Sequence, residues 1–591
     1  MTDSAISVTA LKRRIDCALG RTPCELCLHN ARWVDVFNGK IIEKADIFID
    51  AGKIVDAGRH CKARALETID VEGSLVAPGL IDAHVHIESS MLSPVQFARL
   101  VAPYGTTTII TDPHEIANVL GISGIRYMMR EAKRSEITIR FMLPSCVPST
   151  PYETSGATLK AQDLVDLMHE PEVLGLAELM NVPGLLAKDE DLLEKVALTL
   201  NAGKLIDGHS PLTTGAELSA YAACGVTSDH EASTFKETED RLARGMKMFM
   251  REGSAAQNVD ALSQTVTPLN SRFFSLCTDD ASPDDVFANG HVNYVLKRAV
   301  SRGIDPIEAL RMATINTALH FGLKSKGAVA PGYDADLVIF EDLEHFKVKE
   351  VWIAGRRVAQ NQRMLTPEPV TVADETVKGC VKIKPLSLES FKLTSRSGKA
   401  RVIGLHAGDL INDHLLLEVN TRPDGSIDCD INPGLLKLAV IERHHATGRM
   451  GLALLKGFVA EGKELNGAIA STIAHDSHNI VIVGDNDEDM LAAAQAIEAM
   501  QGGLVLIRSG KVFQSLPLEI AGLMTDRPAQ ETAGKKRALI EAAHRDFHIP
   551  EGIHPIMTLG FLPLAVIPHL RLTDLGLFDV DRFCHVNIDP E

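Results

Sequence analysis

Between Gly79 and Leu323, eight apolar strand-like runs follow one another in order: GLIDAHVHI, TTTIITDPH, ITIRFMLPS, VLGLAELMN, GKLIDGHS, GVTSDHE, GMKMFMREG and RFFSLCTDD. Segments with helical spacing, such as SPVQFARLVAPYG and DEDLLEKVALTLNAG, separate them and are long enough for right-handed crossovers between parallel strands. Eight such units in succession predict an α/β fold, a (β/α)8 TIM-type barrel. Each run ends in polar residues, as the catalytic face of a barrel requires.

The regions on either side read differently. From Leu26 to Val76, ARWVDVF, ADIFID and GSLVAPG alternate with turns such as NGK and AGKIVDAG, the pattern of a small β unit. It returns after the barrel in AVAPGYDADLVIFE and VKEVWIAGRRV, which predicts one β-sandwich domain completed by both flanks. A chain of 591 residues is too long for one core, since cores stop growing near ~250–300 residues. The Pro, Thr and charge mixture of LTPEPVTVADETVKGCVKIK marks a connection, and GAIASTIAH, NIVIVGDN and DEDMLAAAQAIEAMQGG beyond it suggest a C-terminal α/β unit. The expected division is 1–78 for the N-terminal segment and the first part of the sandwich, and 79–323 for the barrel. Residues 324–368 complete the sandwich, and 369–591 form the C-terminal domain.

The formal net charge of -18 argues against nucleic acid, whose affinity depends on clustered Lys and Arg, and points to a small neutral or cationic ligand. MTDSAISVTALKRRIDCALG lacks the apolar stretch of a signal peptide, and no window approaches the ~18 apolar residues of a membrane span. A soluble, cytoplasmic protein is expected. The ten cysteines are scattered, and the one close pair, Cys24 and Cys27, has no second pair to complete a zinc site, so reduced thiols are expected.

His84 and His86 stand two apart at the end of the first run, where the two-residue period of a strand turns both imidazoles to one side. Alone, such a pair is weak, because strand-end histidines often serve only as hydrogen-bonding groups. Here Glu178 ends the fourth run, His209 the fifth, His230 the sixth and Asp279 the eighth, so six metal-type side chains converge on one rim. That convergence predicts a metal site.

In this arrangement the chain resembles the amidohydrolase superfamily, whose pattern is H-x-H on strand one, a carboxylate on strand four, histidines on strands five and six, and Asp on strand eight. Many relatives bridge two metals with a carboxylated lysine on strand four; VLGLAELMNV has none and offers Glu178 instead, which argues against the hydantoinase and phosphotriesterase branches. PGLIDAHVHIESSM, TDPHEIANV, DGHSP, DHE, CTDDASPDD and the C-terminal STIAHDSHNIVIVG narrow the resemblance to the adenine deaminase family, over almost the whole chain. The resemblance implies hydrolysis of adenine to hypoxanthine and ammonia, in purine salvage, by a homo-oligomer whose partner is a purine base.

It also implies a divalent cofactor of two ions, with Mn or Fe favoured and Zn possible: His84, His86 and Glu178 for one, Glu178, His209 and His230 for the other, and Asp279 ligating or touching the nucleophile while shuttling its proton. The T-D-D at strand eight resembles adenosine deaminase, which implies Asp280 at purine N7; a cap on the following segment is the other reading of Asp280. His114 and Glu115 at the second rim are candidates to bind an extra metal, donate to purine N1 or orient ligands, with Glu115 placed in catalysis and His114 in purine contact; Ser89 and Ser90 are candidates for the purine pocket. His475, Asp476, His478 and Asn479 are assigned no catalytic role. A related hydrolase acting on a different aminopurine or a cyclic amide, or a scaffold without activity, would share the barrel.

Overall fold

A computed structural model of the chain describes residues 7–370 and 374–590; residues 371–373, within the predicted connection, lie outside the described residues. The eight runs fold as strands Leu80–His86, Thr106–Thr111, Thr138–Leu143, Val173–Leu179, Leu205–Gly208, Ser228–Asp229, Lys247–Arg251 and Phe274–Cys277. Strands with helices outside and side chains inside are covered on both faces, and Thr106–Thr111 is accordingly buried at every position. Parallel ladders join strands one to five and strands six to eight. The two sets meet at a parallel bridge between Ile206 and Val226. After Thr278, the short stretch Asp279–Asp280 pairs in parallel with Val85 and His86 and closes the ring. Gly208 permits the tight contact of strands five and six, since a Cβ there would lie 2.2 Å from the Ser228 carbonyl oxygen.

The flanking segments share one nine-stranded sheet, in which Leu75–Pro78 lies between Cys24–Asp35 and Leu337–Phe340. The sheet rolls back on itself: Ile54 donates its N–H to the Tyr333 carbonyl and accepts from the Gly332 N–H, and Leu28, Ile47, Ile49, Val76, Leu337 and Trp352 fill the enclosed core.

The C-terminal region is built on an eight-stranded mixed sheet. Strand periodicity assigns its layers. Along Leu435–Ile441, Ala439 and Ile441 pack with Met490, Ala493 and Ile497 of helix Asp487–Met500, while Leu438 and Val440 share a cluster with Leu539, Ala542 and Ala543 of helix Ala529–Asp546. This region sits on the barrel mouth. Thr525 forms a parallel bridge with Leu92, Lys536 pairs with Asp284 at 2.9 Å, and Asn479 donates to the Thr154 carbonyl at 2.9 Å. No helix among the described residues is long and apolar enough to cross a membrane.

One buried ion pair braces the loops after strands five and six. Arg241 Nε lies 3.0 Å from Asp229 Oδ1, both side chains fully buried. Asp229 also accepts from the N–H groups of Ser210, Glu231 and Ala232, each next to or near a rim histidine. Removing one partner strands a buried charge, at a cost of ~3–5 kcal/mol. Arg241→Met is therefore expected to lower the thermal midpoint of the metal-loaded protein by several degrees in a calorimetric scan, and an unchanged midpoint would show that the pair braces nothing.

Candidate metal-centred active site

The rim residues meet at the C-terminal ends of the strands. Each imidazole from strand one is oriented from behind: His84 Nδ1 lies 3.3 Å from Asp207 Oδ2, and His86 Nδ1 lies 3.1 Å from the Asp112 carbonyl oxygen, an acceptor that requires a proton on that nitrogen. The two Nε2 atoms then face each other at 3.2 Å, with Asp279 Oδ1 3.5 Å from the first and 3.2 Å from the second. In neutral rings oriented this way, both Nε2 atoms present lone pairs to one another and to a carboxylate. A cation between them resolves the conflict.

Glu178 stands at the centre, with its two oxygens turned to different histidines. Oε1 lies 3.5 Å from His86 Nε2; Oε2 lies 2.7 Å from His209 Nδ1 and 3.2 Å from His230 Nε2. The stacked rings of His84 and His230, 4.2 Å apart, pack the two groups together. His86, Asp112, His114 and Glu178, then His84, His86 and Asp279, then His84, Glu178 and His230 each bring donor atoms within 4.8 Å of one another. This set of nitrogen and carboxylate donors fits a divalent cation.

The electrostatics agree with that fit. Burial opposes an imidazolium, yet Asp207 and Asp279 push His84 up to about 10, and Asp279 and Glu178 raise His86 well above the ordinary range. Burial likewise opposes ionisation of Glu178 and Asp279, but His209 holds the first and Arg251 the second well below the usual carboxylate range. The buried carboxylates thus favour positive charge beside them, carried by the rings or by a bound ion.

Asp279 occupies the left-handed region with φ 62°. Asp tolerates this conformation better than most residues, and it interrupts strand eight so that the side chain turns into the centre. Arg251, at the end of strand seven, fixes it: Nη1 lies 2.5 Å from Asp279 Oδ2 and 2.6 Å from Glu231 Oε1. Beside it, Asp280 accepts from the Ser89 hydroxyl, and burial next to Asp279 pushes its carboxyl up. Ser90, expected beside Ser89 in the purine pocket, instead closes its own turn, donating to the Ile87 carbonyl and accepting from the Leu92 N–H. The O–H of its buried hydroxyl is committed to this turn.

His114 lies deep, with Nδ1 2.9 Å from Asp112 Oδ2 and 3.7 Å from Glu178 Oε1, against the metal-type donors and away from the mouth. Glu115 turns the other way, to His475 Nδ1 at 2.7 Å and to His478 Nε2. Burial works against its charge, but those histidines, His475 first, hold it well below the usual range. His475 itself is raised to about 9 against the cost of its burial, whereas burial lowers His478.

Comparison with known proteins gives the family. The Amidohydrolase family model matches residues 75–358, and the Adenine deaminase C-terminal domain model matches residues 409–584. The chain is 47% identical over 574 residues to an adenine deaminase of Nitratidesulfovibrio vulgaris strain Hildenborough, covering 97% of this chain and 98% of the relative. The chain belongs to the adenine deaminase family. "Adenine deaminase 2" of Carboxydothermus hydrogenoformans is 44% identical, covering 98% of this chain and 99% of the relative, and the adenine deaminase of Clostridium acetobutylicum is 42% identical, covering 97% and 99%.

In this member of the adenine deaminase family, a metal-dependent amidohydrolase, the structure adds residues that the sequence analysis left unassigned. Asp112, Asp207, Glu231 and Arg251 stand on the same rim, in TDPH, IDGH, DHE and MFMREG. Their place at the ends of predicted strands was a usable signal. His475 and His478 carried none, because nothing local relates them to Glu115.

Proposed function

We propose that this protein hydrolyses adenine to hypoxanthine and ammonia at a two-ion centre, with Mn(II) or Fe(II) as the native metal. The observation that carries the reading is the division of Glu178 between two histidine sets, one oxygen toward His86 and the other toward His209 and His230, in a chain that matches adenine deaminases over nearly its full length. His84, His86 and Glu178 would hold one ion, and Glu178, His209 and His230 the other, with Asp279 ligating or facing the nucleophile.

A bound divalent ion supplies a nucleophile at neutral pH by lowering the pKa of water from ~15.7 to about 7. The protein then has two protons to direct. Adenine plus water gives hypoxanthine plus ammonia: the water oxygen becomes the C6 oxygen, one proton goes to ring N1 and the other to the departing amine. Asp279 Oδ1 faces the reaction centre, and Arg251 keeps Asp279 ionised through Oδ2, so this carboxylate accepts a proton as the C–O bond forms and delivers it to the amine as the C–N bond breaks. Glu115, also held as a carboxylate, relays the second proton to N1. Asp280, which accepts from the Ser89 hydroxyl, would donate to N7 in its protonated form, the form that burial beside Asp279 favours. His114, beside His86 and Glu178, orients the donor set from behind.

The ten free cysteines fit action in the reducing cytoplasm. Protein loaded with Mn(II) or Fe(II) is expected to release ammonia from adenine and not from cytosine or cyclic amides, while a His84→Ala, His86→Ala double variant loses metal and activity together. Opening of a cyclic amide without adenine turnover would replace the substrate and leave the metal site standing.

A further inference from the structure

Glu115, at the start of helix His114–Leu120, is gripped by two histidines more than three hundred residues away in the chain, His475 and His478. The hydrogen bonds define what this grip does. The Ala474 N–H donates to His478 Nδ1 at 3.1 Å, so that nitrogen carries a lone pair. The ring proton therefore lies on Nε2, which donates it to Glu115 Oε2. The same reasoning removes this trio as a cation site, because a ligating Nε2 would leave the ring without a proton on either nitrogen. His475 is held from its own side: its ring stacks on Phe561 with centroids 4.6 Å apart, and its N–H donates to the Gly560 carbonyl at 2.8 Å, both in helix Pro555–Phe561. Its Nδ1 meets the other Glu115 oxygen at 2.7 Å. Both oxygens are thus fixed by groups rooted in the C-terminal domain.

We propose that His475 and His478 are positioning residues that aim the Glu115 carboxylate at the purine, making the C-terminal domain a working part of the barrel's active site. The proposal rests on the reading of Glu115 as the proton relay to the ring. A carboxylate fixed at both oxygens cannot swing to solvent, and a relay that is correctly placed without reorganisation is what proton transfer requires.

The test uses the full-length metal-loaded enzyme. His478→Ala is expected to lower kcat by ~10–100-fold with KM and metal content unchanged, and His478→Gln, which keeps a donor, to recover part of the loss. In a Glu115→Gln background, itself reduced by ~10²–10⁴-fold, His478→Ala should cost nothing more. Equal losses in both backgrounds, or no loss in the parent, would overturn the proposal. A readout independent of turnover is the side-chain Nε2–H resonance of His478 in protein labelled with 15N-histidine, expected to shift or vanish in Glu115→Gln. That signal can be read even if His478→Ala fails to fold. It also separates the two claims: a resonance that depends on Glu115 in an enzyme inert toward adenine would overturn the functional reading and uphold the grip, whereas an unmoved resonance in an active enzyme would overturn the grip alone.

Discussion

Asp279→Asn is expected to retain both ions and lose adenine turnover by at least ~10²-fold, the lower range for removal of a positioned acid–base group. The two parts of the prediction have separate physical origins. Asparagine also tolerates a positive φ, so the turn at φ 62° that aims the side chain into the centre survives the substitution. Its amide oxygen can occupy the position of Oδ1, 3.2 Å from His86 Nε2, and the proposed ligands from strands one, four, five and six are untouched. What is lost is the ability to take a proton and return it to the amine. A 10²-fold loss corresponds to ~2.7 kcal/mol of transition-state stabilisation. Metal analysis alongside kcat separates the effects: wild-type turnover would remove Asp279 as proton carrier, and loss of metal would make it chiefly a ligand.

Glu178→Gln should have the larger effect, abolishing turnover together with binding of at least one ion. The carboxylate lies within 3.5 Å of His86 through one oxygen and within 3.2 Å of His209 and His230 through the other, so it spans both histidine sets. Glutamine keeps the shape but removes the charge and replaces one oxygen with an NH2 group that cannot ligate a cation. It also leaves buried histidines facing a donor. The activity loss is expected to exceed the ~10–100-fold typical of residues that only support a ligand. Two ions retained per chain, by elemental analysis of a variant with an unchanged circular dichroism spectrum, would show that Glu178 does not bridge.

The barrel was legible in the sequence because its signal is repeated: eight apolar runs, each ending in polar residues, leave little freedom in fold. The convergence of the rim side chains was legible for the same reason, since a strand end fixes where a side chain points. Side chains set by turns were not. Ser90 stands next to Ser89, but a 3-10 turn over Ile87–Ser90 consumes its hydroxyl. Arg251 and Glu231 matter through an ion pair between the end of strand seven and the segment after strand six, which a single run does not display. His475 and His478 are the clearest instance. Two histidines three residues apart on an irregular segment have no local pattern, and their role depends on where an entire second sheet docks against the barrel mouth.

The most direct test of the account is hypoxanthine formation from adenine as metal-free protein is titrated with Mn(II), with bound metal measured in the same samples. The account predicts that turnover appears with metal, levels off at two ions per chain, and is absent throughout from the His84→Ala, His86→Ala variant. Protein that takes up two ions per chain and forms no hypoxanthine would contradict it.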